Sequence, residues 1–311
     1  VVIAIAAIEE AAARIAGRVR STPVIEVEAA AFGAAASVTL KLELMQHSGS
    51  FKPRGAFNRM LANAIPRAGV IAASGGNHGA AVAYAARELA HHAEIFVPKM
   101  TPALKLRRIE QYGAHVVATG AGYADAFAAS EQRALETGAL RVHAYDQIEV
   151  VAGQGTVACE WERQAPQLDT VFVAVGGGGL IGGIAAWYAG RVQVIGVEPR
   201  SCPTLSRALE AAGPVDVDVS GVAADSLGAR RIGEIAFSVA QRHVERVILV
   251  SDEEIVAAQR LLWERLRVLT EPGGAAALAG LLSRQYAGRT GERVGVLVCG
   301  GNVDPGRFGE K

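Results

Sequence analysis

Short apolar runs, many of them β-branched, recur along the chain at residues 37–44, 69–73, 93–97, 115–118, 170–175, 192–197, 246–250 and 293–298. Each is too short for a helix and reads as a strand. The alanine-rich stretches between them, such as 79–90, 123–136 and 252–268, carry helical periodicity instead. This alternation predicts α/β architecture with open, largely parallel sheets.

Several of the predicted strands run straight into glycine: Ser74-Gly75-Gly76, Gly176 to Gly179, and Gly300-Gly301. Open α/β sheets bind ligands at the carboxyl ends of their strands, so three glycine-marked exits point to one ligand crevice. Residues 170–190 have no charged side chain and on length alone could span a bilayer. They hold seven glycines, four of them consecutive after a β-branched run, which fits strand, turn and helix start better.

The chain has 311 residues, half hydrophobic and a fifth charged, which suggests two lobes. Thirty-one basic residues balance 31 acidic ones, so no global field favours nucleic acid or an anionic membrane. Cys159, Cys202 and Cys299 are odd in number and widely spaced, forming neither a disulfide framework nor a zinc pattern. They read as buried thiols. The chain begins at Val1, without an initiator methionine. Glu9, Glu10, Arg14 and Arg18 then fall in helical periodicity, unlike a signal peptide. A soluble, cytoplasmic protein is expected.

Four segments could carry chemistry. In His47-Ser48-Gly49-Ser50-Phe51-Lys52-Pro53-Arg54-Gly55, Pro53 suits the first turn of a helix, which puts Lys52 at the helix entrance. The positive dipole end there disfavours an ammonium and would lower the lysine pKa towards a nucleophilic amine. In Ser74-Gly75-Gly76-Asn77-His78-Gly79, main-chain amides and the Ser74 hydroxyl could clasp a carboxylate at a helix N-terminus. An ordinary capped turn reads equally well, and His78 alone reads as a structural hydrogen-bonder.

Gly176 to Gly179, followed by Leu180 and Ile181, let the chain turn its N–H groups toward an anion. No Walker spacing follows. Gly177-x-Gly179-x-x-Gly182 fits a dinucleotide fingerprint nominally, but Glu198 is the only acid placed for a ribose, so a phosphate site is preferred. Cys299, at the last strand exit, could meet a ring nitrogen as a neutral thiol, or simply be buried core.

Together and in this order, these elements resemble the fold-type II pyridoxal-phosphate (PLP) enzymes, in particular the serine/threonine dehydratase and serine racemase group. Ser50-Phe51-Lys52-x-Arg54-Gly55 is the most specific motif, and Glu271-Pro272-Gly273-Gly274-Ala275 looks like the group's substrate-side segment. The resemblance runs from Ser21-Thr22-Pro23 to Gly300-Gly301-Asn302. It implies that Lys52 holds PLP as a Schiff base with Phe51 beside the ring. Gly176, Gly177, Gly178, Gly179 and Leu180 would bind the phosphate, Asn77 the ring hydroxyl and Cys299 the pyridine nitrogen. Ser74, Gly75, Gly76, Asn77 and His78 would hold the substrate carboxylate.

The resemblance further implies a small substrate-side lobe at 65–142 and a large cofactor-binding lobe from 1–64 and 143–311, with the cofactor between them. A homodimer is expected. The implied activity is elimination of water from L-threonine or L-serine, giving a 2-keto acid and ammonia.

Departures refine that expectation. Racemases of the group carry a serine two places before the asparagine, where this chain has Gly75, which cannot transfer a proton. Dehydration therefore gains over racemisation. Glu198-Pro199 matches the start of the racemases' divalent-metal site, but Thr204 stands where a second acid is expected. No metal is expected, with Glu198 only a weak candidate. Too few residues follow Asn302 for the regulatory domain of biosynthetic threonine dehydratases. A PLP enzyme of β-replacement and a non-catalytic phosphate-binding module are the competing classes. Bulkier substrates such as 3-hydroxyaspartate or phenylserine stay open, with Tyr123 a candidate wall of the side-chain pocket.

Overall fold

The computed structural model describes residues 3–32, 37–283 and 285–307. Ten strands are present among the described residues: β1 Val24–Val27, β2 Val38–Lys41, β3 Val70–Ala73, β4 Ala93–Val97, β5 His115–Ala118, β6 Leu140–Arg141, β7 Thr170–Ala174, β8 Gln193–Pro199, β9 Arg246–Val250 and β10 Val294–Leu297. They form two sheets. One has the order β1-β2-β10-β7-β8-β9, the other β5-β4-β3-β6. All pairings are parallel except β1 with β2, so the α/β class and mostly parallel sheets match expectation.

Strands β7 and β10 are buried at every position, which is why their sequences are continuous apolar runs instead of alternating ones. In β3 the two faces part: Val70 and Ala72 join the core under helix Asn77–Glu88, while Ile71 and Ala73 join the core under helix Tyr123–Thr137. Strands β1 and β6 were not predicted. β6 is two residues long, and β1 is a partly exposed edge strand that offers no apolar run. Residues 170–190 divide into β7, a glycine turn and helix Gly179–Tyr188, and no helix among the described residues is long and apolar enough to cross a membrane.

The buried helix Ile148–Gln164 ties the site together. A Cβ at Gly153 would lie 2.7 Å from the Gly55 Cα in helix Pro53–Leu61, and one at Gly183 would lie 2.4 Å from the Gly155 amide nitrogen. Glycine-to-glycine contact lets both neighbouring helices approach this spine at backbone distance. The spine thereby fixes, on one body, the helix that starts after Lys52 and the helix that starts at Gly179.

Candidate active site

Lys52 is the N-cap residue of helix Pro53–Leu61, with Pro53 in the first turn as expected. Its Nζ donates to the Ala144 carbonyl at 2.8 Å and lies 5.1 Å from the centroid of the Phe51 ring. Burial pushes its pKa down to about 8, against the opposing pull of Cys299 and Glu271. The depression expected from the helix dipole is thus present, but burial is its main cause.

The start of this helix is anchored from behind. Buried Arg54 holds Glu43 with two parallel bonds, Nε to Oε2 at 2.8 Å and Nη2 to Oε1 at 2.7 Å, and also reaches Glu160 at 3.0 Å. Thr22 donates to Glu43, and Lys41 pairs with Glu160. This explains two motif residues to which no role was assigned beforehand. Arg54 is a structural fork that fixes the backbone beside Lys52, and Thr22 completes its partner carboxylate.

The glycine run leaves β7 and enters helix Gly179–Tyr188 through Gly178, whose φ is +89°. The first hydrogen bond of that helix runs from the Gly182 amide to the Gly178 carbonyl at 2.8 Å. The preceding amides therefore sit at a helix N-terminus, where N–H groups have no intrahelical acceptor. A Cβ at Gly177 would lie 2.2 Å from the Tyr145 ring, and one at Gly179 would lie 2.9 Å from the Tyr145 carbonyl. The cradle is closed by backbone and ring, leaving no room for side chains.

Asn77 begins helix Asn77–Glu88. Its Nδ2 donates to Glu271 Oε1 at 2.6 Å, and Asn302 donates to its Oδ1 at 2.8 Å. Burial raises the Glu271 carboxyl to about 7. Cys299 follows β10, with its thiol 3.4 Å from the Gly273 carbonyl, and burial pushes its pKa up well above the ordinary thiol range. Cys299 is therefore a neutral S–H in the crevice.

Phe51, Lys52, Asn77, Gly176 to Gly179, Leu180 and Cys299 line one cavity, whereas Ser74, Gly75, Gly76 and His78 are not among its lining residues. Tyr145, Ala174, Ser226, Leu227, Glu271 and Gly273 complete its wall. Tyr145 and Ser226 escaped the sequence reading, because nothing local marks them. Ser226 enters by accepting the Gly273 amide at 3.0 Å.

Two further candidates have structural partners. The His78 ring is buried, with Nε2 2.8 Å from the Val142 carbonyl, and burial lowers its pKa to about 3. Its imidazole is thus a structural hydrogen-bonder, as read from the sequence alone, in the first turn of helix Asn77–Glu88. In the Ser74–His78 loop Ser74 Oγ accepts the Gly76 amide at 3.2 Å. Glu198 is buried and accepts from the Leu205 and Ser206 amides at 2.7 and 2.9 Å, so it braces the start of helix Thr204–Glu210. Among the described residues no group of three or more His, Cys, Asp or Glu side chains is placed to hold a metal ion.

Comparison with known proteins agrees with this geometry. Residues 15–300 match the family described as pyridoxal-phosphate dependent enzyme. The chain is 39% identical over 301 residues to phenylserine dehydratase of Ralstonia pickettii, covering 95% of this chain and 92% of that protein. It is 38% identical to L-threonine ammonia-lyase of Geobacter sulfurreducens, covering 96% and 75% respectively. Among solved structures, maize serine racemase superposes with a TM-score of 0.92 at 33% identity, covering 99% of this chain and 96% of the other. The chain belongs to the pyridoxal-phosphate dependent enzymes, and its fold is that of the fold-type II group.

The residues present fit that cofactor. A dianionic phosphate suits the amides of the glycine cradle, an aldehyde suits a lysine amine held near neutrality, and a neutral thiol can face a pyridine nitrogen.

Proposed function

We propose that this enzyme is an ammonia-lyase that eliminates water from a β-hydroxy amino acid of the L-serine and L-threonine kind, releasing a 2-keto acid and ammonia. The observation that carries the reading is that Lys52, the glycine cradle and the Cys299 thiol line one crevice. Bound PLP supplies the electron sink for negative charge at the substrate Cα.

Each residue then has a role. The amides of Gly176 to Gly179 and Leu180 would hold the phosphate. Phe51 would pack beside the ring, Asn77 would meet the ring hydroxyl, and the Cys299 thiol would face the ring nitrogen without protonating it fully. Such a partner would leave the ring a weaker electron sink, which would suit loss of a β-hydroxyl. The Ser74–His78 loop holds the substrate carboxylate through Ser74, Asn77 and the amides of Gly75, Gly76 and His78. The neutral Lys52 amine removes the α-proton. Gly75 has no side chain, so it provides no acid to return a proton to the opposite face, which separates this chain from racemases. The unsaturated amine that leaves hydrolyses to the keto acid.

The small lobe is proposed as 65–142, a division supported by the four-stranded sheet built wholly from within it. A cytoplasmic homodimer is part of the same proposal.

The test is 2-keto acid release by the PLP-loaded protein from L-serine, L-threonine and bulkier β-hydroxy amino acids, with Lys52→Ala as control. Lysine-dependent keto acid supports the lyase. No keto acid from any of them, in protein that keeps its cofactor absorbance, rejects it. Diversion of product by an added thiol would move the assignment to β-replacement.

A further inference from the structure

Two neighbours in an irregular segment, Ala144 and Tyr145, serve the crevice. The Ala144 carbonyl accepts the Lys52 Nζ at 2.8 Å. The Tyr145 ring and main chain lie against Gly177 and Gly179 of the cradle. No helix or strand of their own fixes either residue.

His143 opens that segment and holds it from within. Its Nδ1 accepts the Asp146 amide at 2.9 Å and the Tyr145 amide at 3.3 Å. A side-chain acceptor for main-chain amides just ahead of it is the device by which Asn and Asp close turns. Here an imidazole does so. Nδ1 can accept only while it carries no hydrogen, so the neutral ring has its hydrogen on Nε2. Burial lowers the His143 pKa and keeps that lone pair free, with Lys52 and Arg141 acting in the same direction and Asp146 and Glu131 opposing. The turn is tied from outside as well. Gln147 Oε1 accepts the His143 amide at 2.9 Å, and the Asp146 carboxylate accepts the Glu234 and Ile235 amides, each at 3.1 Å. With both ends held, the Ala144 carbonyl between them is directed at Lys52.

We infer that His143 is the positioning residue for the Lys52 amine: its Nδ1 sets the turn whose Ala144 carbonyl orients Nζ for attack on PLP. The inference rests on the Schiff-base role of Lys52 and adds a residue that acts through another. Capture joins Nζ to the aldehyde carbon of PLP, and the aldehyde oxygen leaves as water with the two hydrogens of the neutral amine. The carbonyl holds one of those hydrogens beforehand, which limits the lone pair to the two remaining staggered positions about the Cε–Nζ bond. An amine released from it turns freely, and misdirected groups react slowly even when bound.

The experiment follows PLP capture by the apoprotein through absorbance. PLP is saturating, so cradle affinity drops out, and the pH lies above the Lys52 titration, so its charge drops out too. His143→Phe keeps a ring against Phe127 and Tyr145 but has no acceptor, whereas His143→Asn loses the ring and keeps an acceptor suited to the turn. The capture rate should fall about tenfold or more in His143→Phe and stay within about twofold of wild type in His143→Asn. A ring that merely fills space would give the reverse order. A rate unchanged in His143→Phe, or lowered as much in His143→Asn, overturns the inference while leaving the role of Lys52 intact. Nitrogen NMR of the unaltered holoprotein tests the same turn without a variant. His143 should carry its hydrogen on Nε2, and a ring with hydrogen on Nδ1 would overturn the inference whatever the variants do. Wild-type cofactor absorbance that persists in Lys52→Ala would remove the Schiff-base reading and this inference with it.

Discussion

Asn77 and Glu271, 194 residues apart in sequence, meet at 2.6 Å, and the Asn77 amide is the donor. Asn302 holds the opposite end of the same carboxamide at 2.8 Å, so the orientation of Asn77 is set from both sides. Glu271→Ala should leave a buried donor without its acceptor, costing about 1–3 kcal/mol in urea unfolding and weakening PLP binding. Glu271→Gln keeps an oxygen acceptor and should lose clearly less. Equal losses in the two variants would mean that the carboxylate acts by charge and not by orienting Asn77.

The lowered Lys52 pKa predicts how the protein captures its cofactor. With the amine titrating near 8, its neutral fraction rises about tenfold per pH unit below that point and levels above it. The rate of PLP capture by the apoprotein, followed by absorbance, should climb between about pH 6 and 8 and then flatten. A rate still climbing at about pH 10 would indicate an ordinary lysine, and the burial argument would fail.

Gly178 and Gly190 separate strain from crowding. Both have left-handed backbones, with φ of +89° and +86°. A Cβ at Gly178 would lie 2.5 Å from Ile232 Cδ1, whereas nothing lies within 4 Å of one at Gly190. Gly190→Ala should cost only the backbone preference, about 1–2 kcal/mol. Gly178→Ala adds overpacking of about 1–3 kcal/mol and should also weaken PLP binding, because the cradle must shift. Urea unfolding of both variants, with a PLP titration, gives the comparison.

Much of this site could be read from the chain because its parts stand at punctuation. Gly176 to Gly179 and Gly300-Gly301 follow buried strands whose apolar runs are unmistakable, and Pro53 marks the helix beside Lys52. Groups that arrive from a distance could not be read. Ala144 and Tyr145 reach the crevice on an irregular segment after the two-residue strand β6, without turn or periodicity signals. Lys52 owes its low pKa mainly to burial, which depends on the whole tertiary structure, so the helix position gave the direction but not the main cause. His78 reads locally as a structural hydrogen-bonder, but its partner, the Val142 carbonyl, lies 64 residues away and carries no local signal.

Glu198 links stability to pH through the same glycine run. Thr204 Oγ1 lies 2.9 Å from Glu198 Oε1 and 2.6 Å from the Gly176 carbonyl oxygen. A hydroxyl has one hydrogen; if Thr204 gives it to Gly176, the hydrogen toward Glu198 must come from a protonated carboxyl. Burial raises Glu198 to about 7, which favours that form. Because the folded value lies above the ordinary carboxyl value of 4.5, the associated stability is full below about 4.5 and is lost as pH rises through 7. Glu198→Gln stays neutral throughout and can still donate to Thr204. Its stability relative to wild type, from urea unfolding of the holoprotein, should therefore improve between about pH 5 and 8, by no more than about 3 kcal/mol. A difference independent of pH would show that Glu198 keeps one charge state over the whole range, and the proposed proton between it and Thr204 would have to be given up.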